Sequence, residues 1–279
     1  MFLLQLRNEL WKLFGKKRTY IGFCIFFLAQ SLILVLFHFL AGPVRMMSRM
    51  LEMNNYDPKE YISCLTVATF MLYPIAYLLL PLFVALVGGD LVAKEAEDGT
   101  LRMILSRPVS RLRILAIKWV AGSIFAVALC LALGVTGLAW AACWFPWGKM
   151  FVSIPGESFG FFDAAAGWKY FFAAHLMLSL KAITIMSLGF MFSCFNIKPA
   201  AATILAIALV FVSSILQNFP FFSDYLPWFF TYHLDLWRLM FGQPVAWWKF
   251  GESLSLLIGF NATFFAIGGA VFYLRDFKS

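Results

Sequence analysis

The chain has 279 residues, of which 62% are hydrophobic and 13% are charged, and its mean hydropathy is +0.84. A soluble domain has roughly 45–50% apolar and about 25% charged residues, so this composition excludes an ordinary soluble protein. The net charge of +8 does not indicate nucleic-acid binding, because the basic residues cluster at the ends of apolar blocks, where an anionic membrane surface explains them.

The first element in the chain is an amphipathic segment over residues 1–18. Leu3, Leu6, Leu10 and Leu13 follow helical spacing, and polar residues lie on the opposite side. This pattern predicts an interfacial helix in the plane of the membrane, although a charged flank of the first span would give a similar pattern.

Six apolar blocks follow, and each is long enough to cross a lipid bilayer as a helix of about 20 residues. The predicted spans cover residues 21–41, 64–88, 113–142, 170–194, 200–217 and 252–273. We therefore expect an all-α membrane protein with six transmembrane helices in a single domain over residues 1–279. If the N-terminus is cytoplasmic, fourteen Lys and Arg residues lie inside and seven outside, which favours a multi-pass protein with both termini in the cytoplasm.

Two predicted spans carry candidates for a transport pathway. Pro74 and Pro81 lie on one face of the second span and should bend it, although a bend is equally compatible with packing alone. Lys181 lies about midway along the fourth span, where an unpaired cation costs roughly 2.5–3.5 kcal/mol. We expect it to face a polar cavity or a subunit interface, with snorkelling or a backbone contact as the alternatives.

A dense polar segment, EAEDGTLRMILSRPVSR, separates the second and third spans. Gly99 suits a left-handed residue at the end of the second span, and Thr100 suits the N-cap of a new short helix. Pro108 would end that helix, and Ser110 would cap the third span. The interruption therefore predicts an ordered helix–turn–helix connection rather than a solvated turn.

The predicted short helix has one apolar face. Leu101, Ile104 and Leu105 follow each other at helical spacing, and by the topology above they project into the cytoplasm. A solvated turn needs no such face, so the pattern indicates a binding partner or the membrane surface.

Residues 218–250, which we call the aromatic segment, are too aromatic for a solvated loop and are broken by Pro220, Pro227 and Pro244. We expect a re-entrant outer hairpin, formed by two short helices that dip into the outer leaflet and pack against the spans. An aromatic belt lying flat on the membrane is the alternative. Four tryptophans are expected at the headgroup level: Trp228, Trp237, Trp247 and Trp248.

The five cysteines and three histidines show no spacing that predicts a metal site or a catalytic group. Cys64 and Cys143 fall near the outer ends of neighbouring spans, where an oxidising exterior permits a disulfide. Burial of the two thiols as small apolar residues is the commoner outcome.

The stretch GGDLVAKEAEDGTLRMILSRPVSRLRILAIKW resembles the intracellular loop of the type-2 permease family of ATP-binding-cassette transporters. That family shows an acidic pair, Gly-Thr-Leu, an apolar turn and Pro-x-Ser-Arg. The matching residues are Glu97, Asp98, Gly99, Thr100, Leu101, Leu105, Pro108, Ser110 and Arg111. The amphipathic N-terminus, the six spans, the aromatic segment and the charged C-terminus YLRDFKS extend the resemblance over most of the chain.

The resemblance implies a cytoplasmic loop over residues 90–112 whose coupling helix, residues 99–108, docks on a nucleotide-binding ATPase subunit. It also implies that the chain is a permease domain of an exporter in the bacterial inner membrane, paired with a second copy or a paralogue. The sequence has no Walker-type phosphate loop, so ATP and Mg²⁺ would be bound by the partner. This chain would then hold no cofactor and would not be an enzyme.

Three other functions compete with this interpretation. A non-transporting transducer would use the same machinery to pass conformational energy to a periplasmic or motility partner. An ion-coupled secondary transporter commonly shows inverted repeats and intramembrane acids, and the sequence shows neither. A membrane enzyme would need a cluster of His, Asp or Glu at one membrane face. The sequence does not indicate the transported substrate.

Overall fold

The computed structural model describes residues 2–106, 109–153 and 159–275 of the chain. Within these ranges, six helices are long and apolar enough to cross a membrane, which confirms the predicted number. We call them spans 1 to 6: Lys17–Phe39, Cys64–Glu97, Arg111–Ala142, Ala164–Ser193, Pro199–Leu216 and Trp247–Leu274. The shorter α-helices before and between them include Phe2–Gly15, Ala41–Met53, Pro58–Tyr61 and Thr100–Leu105.

An even number of spans brings both ends of the chain to the same side of the bundle. The helices Phe2–Gly15 and Thr100–Leu105 lie on this side, which we call the terminal face. The helix Ala41–Met53, a short β-hairpin and the aromatic segment belong to the other side, which we call the opposite face.

The helices extend beyond the apolar blocks that predicted them. Span 2 continues past residue 88 to Glu97, as the expected turn at Gly99 requires. Span 4 begins at Ala164 rather than 170, and span 6 begins at Trp247 rather than 252. Hydropathy marks the stretch that suits the bilayer core, whereas the backbone hydrogen bonds of a helix continue through polar and aromatic flanks. The predicted boundaries are therefore those of the apolar core of each span.

Span 4 lies at the centre of the bundle and packs against spans 2, 3, 5 and 6. Its most apolar stretch is 72% buried, compared with 22% for span 1 and 17% for span 6. A Cβ atom added to Gly88 of span 2 would lie 2.2 Å from the carbonyl oxygen of Met186 in span 4. Glycine at this position therefore permits the two central helices to approach closely, as small residues do in membrane bundles.

Span 2 contains the distortion that its prolines predict. The α-helix Cys64–Pro74 is followed by a π-helical turn over Ile75–Leu79, and Pro81 lies in the first turn of the α-helix that resumes at Leu80. A proline removes a backbone donor and crowds the preceding turn, and both proline and π turns are known causes of helix distortion. The π turn changes which side chains of span 2 point into the bundle.

A β-hairpin on the opposite face is the part of the fold that the all-α prediction lacks. Met150–Ser153 pairs antiparallel with Phe159–Phe162. Phe151 is fully buried, and its ring contacts Phe70, Phe159 and Phe161. These few aromatic residues read as part of a loop in the sequence, because strands of four residues have too little pattern to predict.

The aromatic segment divides into an exposed and a buried half. The 3₁₀ helix Pro220–Trp228 has no buried residue. The following turns, Phe230–His233 and the 3₁₀ helix Leu236–Phe241, are largely buried against spans 4, 5 and 6. The second half of the segment therefore packs against the bundle, and the entry of a two-helix hairpin into the outer leaflet stays a prediction.

The prediction that Trp237 marks the headgroup level is wrong. Its side chain is 0% exposed and packs against Tyr73 and Tyr77 of span 2. The other three predicted tryptophans are exposed, as an interfacial position requires: Trp228, Trp247 and Trp248. All five cysteines are free thiols, with Cys64 buried and Cys143 exposed, so no disulfide joins them.

Candidate functional site

The turn between span 2 and the short helix Thr100–Leu105 has the predicted backbone. Gly99 adopts φ +72°, in the left-handed region that glycine enters without a steric penalty. The structure differs at Thr100, which is the first residue of the short helix rather than its N-cap. Its hydroxyl donates to the carbonyl oxygen of Glu95 at 3.3 Å, so the side chain closes the end of span 2.

The first residue of the predicted apolar face, Leu101, points toward its own chain. Leu101 is 1% exposed and belongs to the hydrophobic core of the bundle, so it does not project into solvent as the sequence suggested. Met103 is 65% exposed, and Ile104 is partly exposed. The helix is too short to lie free of the span ends, and burying Leu101 against them stabilises its position. The apolar surface that remains accessible is centred on Met103.

The flanks of the loop anchor it to three spans. Glu97 and Asp98, the predicted acidic pair, form ion pairs with Lys94 at 2.8 and 3.1 Å on the last turn of span 2. Ser110 caps span 3 as predicted, accepting from the backbone N–H of Arg113 at 3.3 Å. Arg111 donates to the carbonyl oxygens of Tyr273 and Arg275 at the end of span 6. Pro108 and the side chain of Leu105 lie outside the described part of the structure.

A charged cluster that the sequence did not predict lies directly behind the loop. Lys118 of span 3 is 2% exposed and forms ion pairs with Glu9 at 3.0 Å and Glu95 at 2.7 Å. Lys12 also contacts Glu9 and Glu95, at 2.7 and 3.3 Å. We call these four residues the terminal cluster. It ties the N-terminal helix Phe2–Gly15 to the ends of spans 2 and 3.

The terminal cluster is balanced in charge, with two carboxylates and two ammonium groups. Burial alone would raise the pKa of Glu9, but the ammonium groups of Lys118 and Lys12 outweigh burial and hold that pKa below its ordinary value. The carboxylates of Glu9 and Glu95 likewise raise the pKa of Lys12 against the opposing effect of burial. Glu9 and Lys12 are therefore both charged near neutral pH.

A second charged cluster surrounds Lys181 and supplies the polar partners that a cation within a span requires. Lys181 is 4% exposed, and its Nζ lies 3.2 Å from Asp235 Oδ1 in the aromatic segment. Tyr77 donates to Asp235 Oδ2 at 2.6 Å, and Arg238 lies 3.3 Å from the same oxygen. The ammonium group also lies 4.2 Å from the centre of the Tyr77 ring. We call Tyr77, Lys181, Asp235 and Arg238 the central cluster.

The ion pair between Lys181 and Asp235 indicates how far the aromatic segment extends along span 4. At about 1.5 Å of helix rise per residue, Lys181 lies about 18 Å from the Ser193 end of span 4 and about 26 Å from its Ala164 end. Asp235 is hydrogen-bonded to it, so the aromatic segment extends beside the middle of the central helix.

The central cluster lines a cavity of about 530 Å³ between spans 2, 4 and 5 and the aromatic segment. Two of the predicted pathway residues, Pro81 and Lys181, line this cavity, whereas Pro74 is absent from its walls. A cavity of about 580 Å³ adjoins it, and residues of span 6 form part of its wall. Five residues are shared by the two cavities: Gln217, Asn218, Thr231, Asp235 and Arg238.

These sites are suited to binding and to mechanical transmission. Among the described residues, no group of three or more His, Cys, Asp or Glu side chains is placed to hold a metal ion. The terminal face presents a short exposed helix braced by ion pairs, and the interior presents a polar cavity with a buried amine.

Comparison with known proteins identifies a family. A family model described as "ABC-2 family transporter protein" matches residues 11–221, which is more than half of the chain. The match includes the loop, the terminal cluster except Glu9, and Tyr77 and Lys181 of the central cluster. A comparison with curated proteins gave no significant match.

Proposed function

The chain belongs to the ABC-2 transporter family and is a membrane permease subunit, and we propose that it is the membrane-spanning half of an ATP-driven exporter. In this proposal a separate nucleotide-binding ATPase subunit binds ATP and Mg²⁺, and a second copy or a paralogue of this chain completes the permease. The terminal face is cytoplasmic, since it carries the larger share of the Lys and Arg residues. The bacterial inner membrane is the proposed location.

The observation that carries the proposal is the exposed helix after Gly99. Its glycine turn, its acidic pair and its position between spans 2 and 3 resemble the coupling helix through which such permeases contact their ATPase. We propose that Met103 and Ile104 form the contact. Leu101 supports the helix from behind, because it is already buried within this chain.

Contacts around the short helix connect it to several other helices of the bundle. Movement of the helix acts on span 2 through the Gly99 turn and on span 3 through the connection to Ser110. The Arg111 bonds to the end of span 6 and the terminal cluster's bonds to the N-terminal helix distribute the same movement. In the proposed mechanism, closure of the ATPase pair moves these elements as one unit and changes the access to the central cavities.

The test compares two substitutions on neighbouring residues of the short helix. Burial of one Met side chain contributes roughly 1.5–3 kcal/mol, so Met103→Asp should weaken co-purification of the co-expressed ATPase about tenfold or more. The thermal midpoint of the isolated permease should stay unchanged, because Met103 is exposed in this chain. Leu101→Asp should instead lower the thermal midpoint of the permease itself, since it places a charge in the core.

Glu52→Lys is the control, because Glu52 is exposed on the opposite face and should affect neither property. Normal ATPase association in Met103→Asp would reject the coupling role of this helix. A loss of association in Glu52→Lys would show that the assay reports general damage to the protein.

A further inference from the structure

Span 6 is attached to the bundle along one narrow face. Its most apolar stretch is 17% buried, the lowest value among the six spans that the structure describes. A lipid tail can replace an apolar contact between helices at little cost, because it is as apolar as the side chain that it covers. The polar contacts of span 6 therefore decide how firmly it is held. Six residues form its buried face: Ser253, Leu257, Asn261, Phe264, Gly268 and Phe272.

Hydrogen bonds between side chains connect the middle of this face to spans 3 and 4. Asn261 Oδ1 accepts from Ser187 Oγ at 2.6 Å, and Asn261 Nδ2 donates to Thr184 Oγ1 at 2.8 Å. Ser187 Oγ in turn accepts from the indole N–H of Trp119 at 2.8 Å. Asn261 is 8% exposed, and Ser187 and Thr184 are 0% exposed. We call Trp119, Thr184, Ser187 and Asn261 the asparagine network.

The bonds between span 6 and span 4 can break without leaving their donors unpaired. Asn261 Nδ2 also donates to the carbonyl oxygen of Leu257, one turn earlier in span 6, at 2.7 Å. Thr184 Oγ1 donates to the carbonyl oxygen of Leu180 in its own helix at 2.9 Å. A serine hydroxyl can form the same kind of bond to the preceding turn of its helix. The donors on both sides therefore have a partner within their own span when the two spans separate.

Both ends of span 6 have polar contacts of another kind. Near the opposite face, Ser253 Oγ lies 3.0 Å from Nδ1 of His233 in the aromatic segment. At the terminal face, Arg275 donates to the carbonyl oxygen of Phe195, just after the end of span 4, at 3.2 Å. These contacts involve connecting segments, whereas the asparagine network holds the middle of span 6 directly to span 4.

We propose that span 6 is a movable helix and that the asparagine network is the latch that holds it against spans 3 and 4. Opening the latch separates Asn261 from Ser187 and Thr184. Residues of span 6 form part of the wall of the cavity of about 580 Å³, so its movement changes access to that cavity. Spans 2 and 4 stay together, because Gly88 approaches the backbone of Met186 too closely for a side chain. The proposal concerns this chain alone and does not require an ATPase.

A native cysteine reports the position of span 6. Cys194, at the end of span 4, is 0% exposed, and its Sγ lies 3.3 Å from the place of a Cβ atom added to Gly268 of span 6. Cys64 of span 2 and Cys130 of span 3 are also buried. N-ethylmaleimide should therefore label Cys194 when span 6 moves away, and all three thiols when the whole bundle unfolds.

The test measures labelling of the purified full chain in dodecyl maltoside, with the two exposed cysteines, Cys24 and Cys143, replaced by serine. Mass mapping of peptides identifies the labelled thiols. Asn261→Leu should raise the labelling rate of Cys194 about tenfold, because it removes both bonds from Asn261 to span 4, and Cys64 and Cys130 should stay protected. Ser187→Ala should have a smaller effect in the same direction, since Thr184 still accepts from Asn261.

Thr263→Val is the matched control, because Thr263 is exposed on span 6 and donates to the carbonyl oxygen of Gly259 within the same helix. It should leave Cys194 protected. An unchanged labelling rate of Cys194 in Asn261→Leu would overturn the proposal. Simultaneous labelling of Cys64 and Cys130 would also overturn it, because the network would then hold the whole bundle together.

If Asn261→Leu cannot be purified, Ser187→Ala is judged by the same two outcomes. Failure of this proposal leaves the ATPase contact at Met103 untouched, because no ATPase enters the measurement.

Discussion

The terminal and central clusters both hold a buried lysine, but they differ in charge balance and in what surrounds them. Lys118 in the terminal cluster meets two carboxylates, and each carboxylate meets two lysines, so the four charges of the cluster sum to zero. Lys181 in the central cluster pairs with Asp235, which Arg238 also contacts, and the cluster lies beside a cavity.

The difference indicates two functions for buried charge in one bundle. A neutral cluster between helices holds them in a fixed relation, as a device that transmits force requires. The central cluster borders a cavity, so its charged groups remain accessible from that side. The comparison therefore predicts that mutations in the terminal cluster affect stability more than mutations in the central cluster.

The largest expected effect is the loss of Lys118. Lys118→Met leaves the carboxylates of Glu9 and Glu95 close together with Lys12 as their remaining partner in the cluster. Breaking a buried ion pair in this way typically costs about 3–5 kcal/mol. Unfolding of the purified protein in mixed micelles by denaturant measures the loss.

Lys94→Met is the matched control. Lys94 forms its two ion pairs with Glu97 and Asp98 at the surface, where solvent screens them, so its loss should change the stability little. Similar losses in the two variants would contradict the description of the terminal cluster as a buried tie.

The second expected effect concerns Asp235. Asp235→Asn leaves Lys181 and Arg238 as neighbouring cations without their shared carboxylate, and it should cost about 1–3 kcal/mol, because the carboxylate is partly exposed.

A double-mutant cycle with Lys181→Met sharpens this result. The double variant Lys181→Met/Asp235→Asn should be more stable than the sum of the two single losses predicts, because it removes the unpaired cation together with its partner. Strict additivity would mean that the 3.2 Å contact contributes no coupling.

The local features of the loop could be predicted from the sequence because they depend on residues within a few positions of each other. The left-handed turn at Gly99, the cap at Ser110 and the number of spans follow from glycine flexibility, short-range hydrogen bonds and apolar length. The direction in which Leu101 points could not be predicted, because an apolar face of one helical turn suits the chain's own core as well as a partner.

The two clusters were beyond prediction because their partners lie far apart in sequence. Asp235 follows Lys181 by 54 positions, and Lys118 follows Glu9 by 109. Considered alone, each of the other residues is an ordinary charge at a helix end or in a loop. Only Lys181 carried a signal, since its position within a span required some compensation. The β-hairpin was missed for the related reason that pairing across a turn decides its existence.

The third prediction uses pH to separate the clusters. The pKa of Glu9 is lowered in the folded protein, so its contribution to stability is present above the ordinary carboxyl value of 4.5 and is lost as the pH falls through the lower folded value. The thermal midpoint should therefore fall with acidification below about pH 5. Glu9→Gln should start from a lower midpoint at neutral pH and show a flatter fall.

The matched variant for the pH series is Glu52→Gln, whose carboxylate is exposed on the opposite face. It should follow the wild-type curve. If Glu9→Gln also follows the wild-type curve, the ion pairs of Glu9 with Lys12 and Lys118 do not contribute to stability.

The smallest expected effect is that of replacing Gly99, whose left-handed backbone was predicted from the sequence. An added Cβ would meet no atom within 4 Å, so the change Gly99→Ala tests backbone conformation alone. A non-glycine residue in the left-handed region costs about 1–2 kcal/mol, and asparagine tolerates this region better than alanine. We expect Gly99→Ala to destabilise the permease by about 1 kcal/mol and Gly99→Asn by less, as measured by the same unfolding assay. A loss as large as that of Lys118→Met would mean that the turn holds the core together, and the loop would then be too rigid for the motion proposed for it.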